Sequence, residues 1–344
     1  MHKPIQKWTP KTLEFHSAGR GRPKKYLSER RQKIEDLLIK TILEIRRDID
    51  FTPGSRGWCY LLEQHGLQKG DFDVCQKIIT DARKDGRLPL NICSDDSSRQ
   101  FHNLERLDTT SVEDEATSWI RWIIDECWKS YNPVSFWRNQ KFYVEVIVEK
   151  IDLLQLFKAT CAKFHVPLAS SKGWPDLSLR AGMMSRFKKW EAKGKQCVLL
   201  LCGDFDPAGL LISQNYRNML NEIASAMSWS PEHLIIERFG LNADLIALAG
   251  LSWIDNLQTS SGGDLTNPRH PDSKKPYVVE YIKKYGVRKC EANALVTRPD
   301  IAKNLIECTL NKYVDENSMH EYQQKIKAVQ GELQSEICRF VNIF

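Results

Sequence analysis

No part of this 344-residue chain is apolar for long. The longest such run is Cys197-Val198-Leu199-Leu200-Leu201-Cys202, far below the ~20 residues of a membrane-spanning helix, and residues 1–8 lack a secretory apolar region. The expectation is a soluble cytoplasmic chain with no membrane partner. Cys-x-x-Cys spacing is also missing. Disulfide scaffolds suit small secreted chains, so the ten cysteines, scattered through apolar segments, read as reduced core residues. There is no Gly-x-x-x-x-Gly-Lys-Ser/Thr loop either, so the chain is not expected to hydrolyse ATP itself.

Outside one segment there is little surplus of charge. Residues 1–27 hold seven lysines and arginines (Lys3, Lys7, Lys11, Arg20, Arg22, Lys24 and Lys25) against Glu14, a surplus of six that equals the net charge of the whole chain. A basic arm on a balanced body suits an anionic polymer, because each neutralised phosphate releases counterions. The arm has no apolar face to insert into a membrane surface. Its Pro, Gly and Lys content without apolar periodicity predicts disorder in the free protein. Within it, Gly19-Arg20-Gly21-Arg22-Pro23-Lys24-Lys25 resembles an AT-hook, with Arg20, Arg22 and Lys24 as candidate minor-groove contacts; an unspecific basic tail is the alternative.

With 42% hydrophobic residues the chain can bury two compact cores. From Ser28, a candidate N-cap, the residues Ile34, Leu37, Leu38, Ile42, Ile45 and Ile49 form one helical stripe that Thr52-Pro53-Gly54 ends. Two shorter helices are expected over 56–64 and 73–84, the latter with Val74, Ile78, Ile79 and Ala82 on one face, separated by a turn at 65–70. An extended segment over 87–93 would complete a helix-turn-helix with a wing. A connecting helix over 113–128 carries Trp119, Trp122, Ile123 and Cys127, which are expected to pack onto neighbours.

The second half alternates strand and helix, which predicts a parallel sheet covered on both faces. Strands are expected over 143–148, 167–170, 196–202 and 233–239, with helices over 153–164, 177–192 and 207–227. Functional sites in such sheets gather at the carboxyl ends of the strands, which singles out Glu149-Lys150 and Gly203-Asp204-Phe205-Asp206-Pro207. In extended chain, Asp204 and Asp206 leave on the same side, about 6–7 Å apart. With Glu149 they offer hard oxygen ligands suited to Mg²⁺ or Mn²⁺ at a phosphoryl centre. Asp206 also fits the N-cap of a helix starting at Pro207.

Three segments in order are similar to the Toprim domain of topoisomerase VI A subunits and of the related meiotic double-strand-break transesterase. They are Val144-Glu145-Val146-Ile147-Val148-Glu149-Lys150, Lys172-Gly173-Trp174-Pro175-Asp176-Leu177-Ser178-Leu179-Arg180 and Gly203-Asp204-Phe205-Asp206-Pro207-Ala208-Gly209. Farther on, Cys290-Glu291-Ala292-Asn293-Ala294-Leu295 resembles a Glu-Leu-Asp-Ala-Leu segment of bacterial and phage members, with Asn293 where relatives often carry Asp. The resemblance covers about residues 52–295; together with the composition and periodicity it gives an expected α/β chain with a basic arm (1–27), a helical and winged-helix DNA-binding domain (28–130), a Toprim domain (140–300) and a helical tail (301–344), whose charged 309–344 part reads as helix that would help dimerisation. It also implies Mg²⁺ on Glu149, Asp204 and Asp206, with Glu291 as a further candidate.

Family members cleave double-stranded DNA by transesterification, through a tyrosine four residues after an arginine. Arg56-Gly57-Trp58-Cys59-Tyr60 keeps that spacing, although many relatives carry an aromatic where this chain has Cys59. Tyr60 is thus the candidate nucleophile, Arg56 its candidate helper, and Lys150 and Arg180 candidate phosphate contacts. In the family the tyrosine of one protomer works with the metal of the other, which implies a homodimer, and a separate ATPase subunit would have to drive any strand passage. Tyr60 also fits an ordinary core position. Two alternatives remain: a hydrolytic nuclease such as the nuclease subunit of the Wadjet plasmid-defence system, which the layout resembles, and a DNA-binding protein without chemistry. A cytoplasmic, nucleoid-associated location follows from a DNA partner. The segment 260–276, rich in Ser, Gly, Asp and Pro, reads as a mobile loop.

Overall fold

A computed structural model describes residues 24–94, 111–259 and 262–341. The AT-hook-like core and most of the basic arm lie outside these residues. The first helix, α1 (Lys24–Asp48), begins ahead of Ser28, which is therefore not its cap. Leu38, Ile42 and Ile45 of its stripe are buried, against α2 (Ser55–Glu63) and α3 (Phe72–Lys84). On α3 the buried face is Phe72, Cys75, Ile78, Ile79 and Ala82, while Val74 points outward. Ile78, Ile79 and Ala82 are thus buried as expected, and toward the N-terminus Cys75 and Phe72 complete the face in place of Val74.

The expected wing strand over 87–93 is not formed. After Gly86 the chain makes a short 3₁₀ turn at Leu90–Ile92, and its polar groups are satisfied by helices instead of a partner strand. Leu88 N–H bonds to Ala82, Arg83 grips the Leu90 carbonyl, and Trp58 Nε1 donates to Ile92 at 2.8 Å.

The helix α4 (Val112–Asp125) starts on a Ser111 cap and contacts α12 (Glu316–Val341), the long helix of the tail. Its tryptophans do not pack inward as expected. Trp119 is 57% and Trp122 46% exposed, edge to face at 5.7 Å, and Ile123 is exposed beside them. Of the ten cysteines, all free, seven are buried as expected; Cys308 and Cys338 are exposed and Cys127 is half-buried.

The second half is an α/β unit. Its four strands, β1 (Phe142–Val148), β2 (Leu168–Ser170), β3 (Gln196–Cys202) and β4 (Ile235–Gly240), form one parallel sheet in the order β2-β1-β3-β4. Between them run α5 (Ile151–Lys163), α6 (Leu177–Glu191) and α7 (Pro207–Asn221), the last ending earlier than expected and followed by the separate turn of α8 (Ala224–Met227). The chain leaves β1 in one direction to reach β2, then returns past it to β3. With right-handed crossovers this puts α5 on one face and α6 and α7 on the other. The contacts agree: α6 touches α7, while α5 touches α11 (Pro299–Leu310). Because the direction reverses at β1, a crevice opens beyond the carboxyl ends of β1 and β3. After α9 (Ala243–Ala249), the segment 262–275 is a series of turns leading into α10 (Pro276–Tyr285). No described helix is long and apolar enough to cross a membrane.

Candidate metal and tyrosine site at the switch point

Glu149 follows β1 and Asp204 follows β3, so the crevice brings them together. Each carboxylate anchors one oxygen on a backbone amide. Asp204 N–H donates to Glu149 Oε2 at 2.8 Å, and Ala292 N–H donates to Asp204 Oδ1 at 2.8 Å. The remaining oxygens face one ammonium: Lys150 Nζ lies 3.1 Å from Glu149 Oε1 and 2.9 Å from Asp204 Oδ2. Burial and the neighbouring Glu149 charge raise the Asp204 carboxyl to about 6 against the pull of Lys150. Burial works to lower the Lys150 ammonium, but Asp204 and Glu149 outweigh it and hold the group above the usual lysine range.

Asp206 turns a different way. Its Oδ1 caps α7 through Gly209 N–H at 2.6 Å, and burial, then Asp204, raises its carboxyl. Among the described residues no three His, Cys, Asp or Glu side chains converge as a ready cage. The donor set nevertheless fits Mg²⁺, which keeps several waters and needs only one or two carboxylates. Two carboxylates, each anchored through one oxygen, already turn their other oxygens toward a positive charge, with Asp206 beside them.

Two features that sequence reading missed hold this loop. Half-buried Arg238, near the end of β4, donates to the Gly203 and Asp204 carbonyls at 2.8 and 2.7 Å, to Gly209 at 3.2 Å, to Leu241 at 3.2 Å and to Ser213 Oγ at 2.5 Å. Five donors thus meet five acceptors with no carboxylate among them. An arginine near the carboxyl end of a sheet strand was the available signal. The second feature is Gly209, where an added Cβ would lie 2.2 Å from the Asp204 backbone oxygen. Gly209→Ala is therefore expected to cost about 1–3 kcal/mol by overpacking, measurable by urea denaturation; unchanged stability would refute the close approach.

Tyr60 sits on α2, whose N-terminus is held from α5. Buried Asp152, at the start of α5, accepts the Gly54 N–H, and a Cβ on Gly57 would come within 2.7 Å of that carboxylate. One turn apart on α2, Arg56 and Tyr60 converge on Glu291. Arg56 binds it in a fork, Nε at 2.9 Å and Nη2 at 2.8 Å, and the Tyr60 hydroxyl donates to Oε2 at 2.7 Å. Tyr60 is 0% exposed, packs edge-on against Phe72 at 5.1 Å, and has Lys69 Nζ 5.1 Å from its ring centre. Burial, then the Glu291 charge, pushes the phenol far above its ordinary range. Burial works to raise Glu291, but the Arg56 guanidinium overrides it and holds that carboxyl at about 2. As it stands, the phenol is a neutral donor to a strongly acidic carboxylate. Glu291 precedes Ala292, whose N–H holds Asp204, so tyrosine and acidic pair share one support.

Of the candidate DNA contacts, Arg20 and Arg22 lie outside the described residues, as does the side chain of Lys24. Lys150 is held by the acidic pair. Arg180 donates to the Met219 carbonyl at 2.8 Å and to Glu222 at 2.6 Å, at the far end of α7 from Asp206, about 20 Å along the helix. No protein-family model and no curated protein matches the chain.

Proposed function

We propose that this protein breaks double-stranded DNA in a metal-dependent reaction, with a Toprim-type sheet bearing Glu149, Asp204 and Asp206 and a DNA-binding N-terminal part of winged-helix type bearing Tyr60. One observation carries the reading. At the switch point of the sheet, Glu149 and Asp204 each fix one oxygen on a backbone amide and turn the other toward a shared cation. Bound Mg²⁺ or Mn²⁺ would supply charge stabilisation at the phosphorus and the leaving oxygen. Asp206 lies beside the pair as the third ligand.

Tyr60 is the proposed nucleophile. Its Oη forms a bond to phosphorus as one phosphorus–oxygen bond of the strand breaks; the phenol proton passes to a base and the released strand oxygen takes one up. The resting contact with Glu291 keeps the phenol protonated, so attack requires that Arg56 and Glu291 separate, which frees the guanidinium for the phosphate. A cytoplasmic homodimer acting on both strands, with an ATPase partner where strands are passed, completes the reading.

A second reading, hydrolysis by activated water, is favoured by the complete burial of Tyr60. Supercoiled plasmid incubated with Mg²⁺ or Mn²⁺, and resolved before and after protease digestion, separates the two. Tyr60→Phe is expected to abolish both cleavage and DNA trapped on protein. Cleavage that persists in Tyr60→Phe without trapped DNA makes the protein a hydrolytic nuclease, and absence of cleavage by the wild type with either metal overturns the reading.

A further inference from the structure

Lys150 occupies an unusual place. It adjoins Glu149 in the chain, yet its side chain folds back into the acidic pair, with Nζ within 3.1 Å of both free carboxylate oxygens. Those are the two oxygens that no backbone amide holds. The side chain keeps 33% of its surface exposed, so a route to solvent stays open along its stem. A lysine ammonium is a compact charge on a flexible four-carbon stem, suited to leaving one partner for another without moving the backbone.

We infer that Lys150 is the resident counter-ion of the acidic site, which holds Glu149 and Asp204 together until a divalent cation displaces it and which then meets the phosphodiester. The inference rests on the metal-dependent reading proposed above. Charge arithmetic gives the exchange its purpose. With Asp206 beside the pair, three carboxylates and one ammonium carry a net −2, which repels a phosphate; a divalent cation added to the same four groups brings the net charge to zero. The loss of that negative charge orders the events, because this face stops repelling DNA only after the cation has entered. In the metal-free state the lysine offsets the repulsion between the buried Asp204 and the half-buried Glu149 carboxylates. The cost is that the metal must compete with it.

The competition makes an uncommon prediction, that removing a cation from the site tightens metal binding. Calorimetric titration of Mn²⁺ into DNA-free wild-type, Lys150→Met and Lys150→Arg proteins tests it. Lys150→Met is expected to bind Mn²⁺ about tenfold more tightly than wild type, and Lys150→Arg to stay near wild type or weaken. Metal-free Lys150→Met should melt at a lower temperature and gain the larger shift on adding Mn²⁺, which a merely structural role would not produce. Fluorescence anisotropy of a labelled duplex should rise with Mn²⁺ in the wild type and respond less in Lys150→Met. Lys150→Gln repeats the series if the Met variant does not fold. Mn²⁺ affinity in Lys150→Met or Lys150→Gln equal to or weaker than wild type overturns the exchange while leaving the metal site intact. No Mn²⁺ binding by any variant overturns the exchange and the metal-dependent reading together.

Discussion

Asparagine in place of Asp204 should reduce Mg²⁺-dependent plasmid cleavage on the order of 10³-fold or more, since a liganding carboxylate accounts for several kcal/mol of charge stabilisation. Asparagine is chosen because its oxygen can still accept the Ala292 N–H that now binds Asp204 Oδ1 at 2.8 Å. The loop is thereby kept while the charge facing the cation is lost. Alanine at Asp206 should behave differently. Its carboxylate caps α7 through Gly209, so the variant should lose about 1 kcal/mol of stability in addition to any loss of cleavage. Initial nicking rates and urea denaturation of the two variants distinguish the roles. Cleavage by Asp204→Asn at wild-type rates would remove Asp204 from the chemistry.

A second large effect is expected in acid. Glu291 has a carboxyl held at about 2 against a usual 4.5, so its contribution to stability is fully present above pH 4.5 and is lost as pH falls toward 2. The shift corresponds to about 3 kcal/mol, reduced toward 1–2 by solvent screening because the Arg56 side chain is 41% exposed. Glu291→Gln removes the ionisation and keeps an acceptor for Tyr60. Its stability should therefore lie below wild type at pH 7 and converge with it near pH 2–3. Urea denaturation at pH 7, 4 and 3 provides the measurement, and a gap that does not narrow with acid would disprove the ion pair. Breaking the pair outright with Glu291→Ala should cost about 1–3 kcal/mol, because the buried Tyr60 phenol is then left without an acceptor while the half-exposed guanidinium can turn to water.

What could be read from the sequence was what local pattern determines. The apolar period of β1 and β3, and the position of Asp204 and Asp206 just past the most apolar strand, were legible because a buried parallel strand and its terminus are written in consecutive residues. The helices around Arg56 and Ile78 were legible for the same reason. The absent wing was not, since the peptide groups near Leu88 find partners in helix and side chain, and a short extended run looks the same whether or not another strand lies beside it. Tyr60 and Glu291 stand 231 positions apart, and Gly54 and Asp152 stand 98 apart, so no spacing rule connects them. Lys150 was read as a phosphate contact because a lysine beside a strand end is exposed by default. Only the crevice between two strands reveals that it is already paired. The tryptophans of α4 follow a stripe that a sequence cannot tell from a core-facing one.

The turn between β1 and α5 has a mechanical consequence. Within four consecutive residues it presents Glu149 to the acidic site, Lys150 to the same site, and Asp152 to the end of the helix that carries Tyr60. The helix that carries Tyr60 and the acidic pair are thus tied to the same short stretch of chain, one through Asp152 and the other through Glu149. The seat of the tyrosine helix and the spacing of Glu149 and Asp204 therefore share one anchor in the chain.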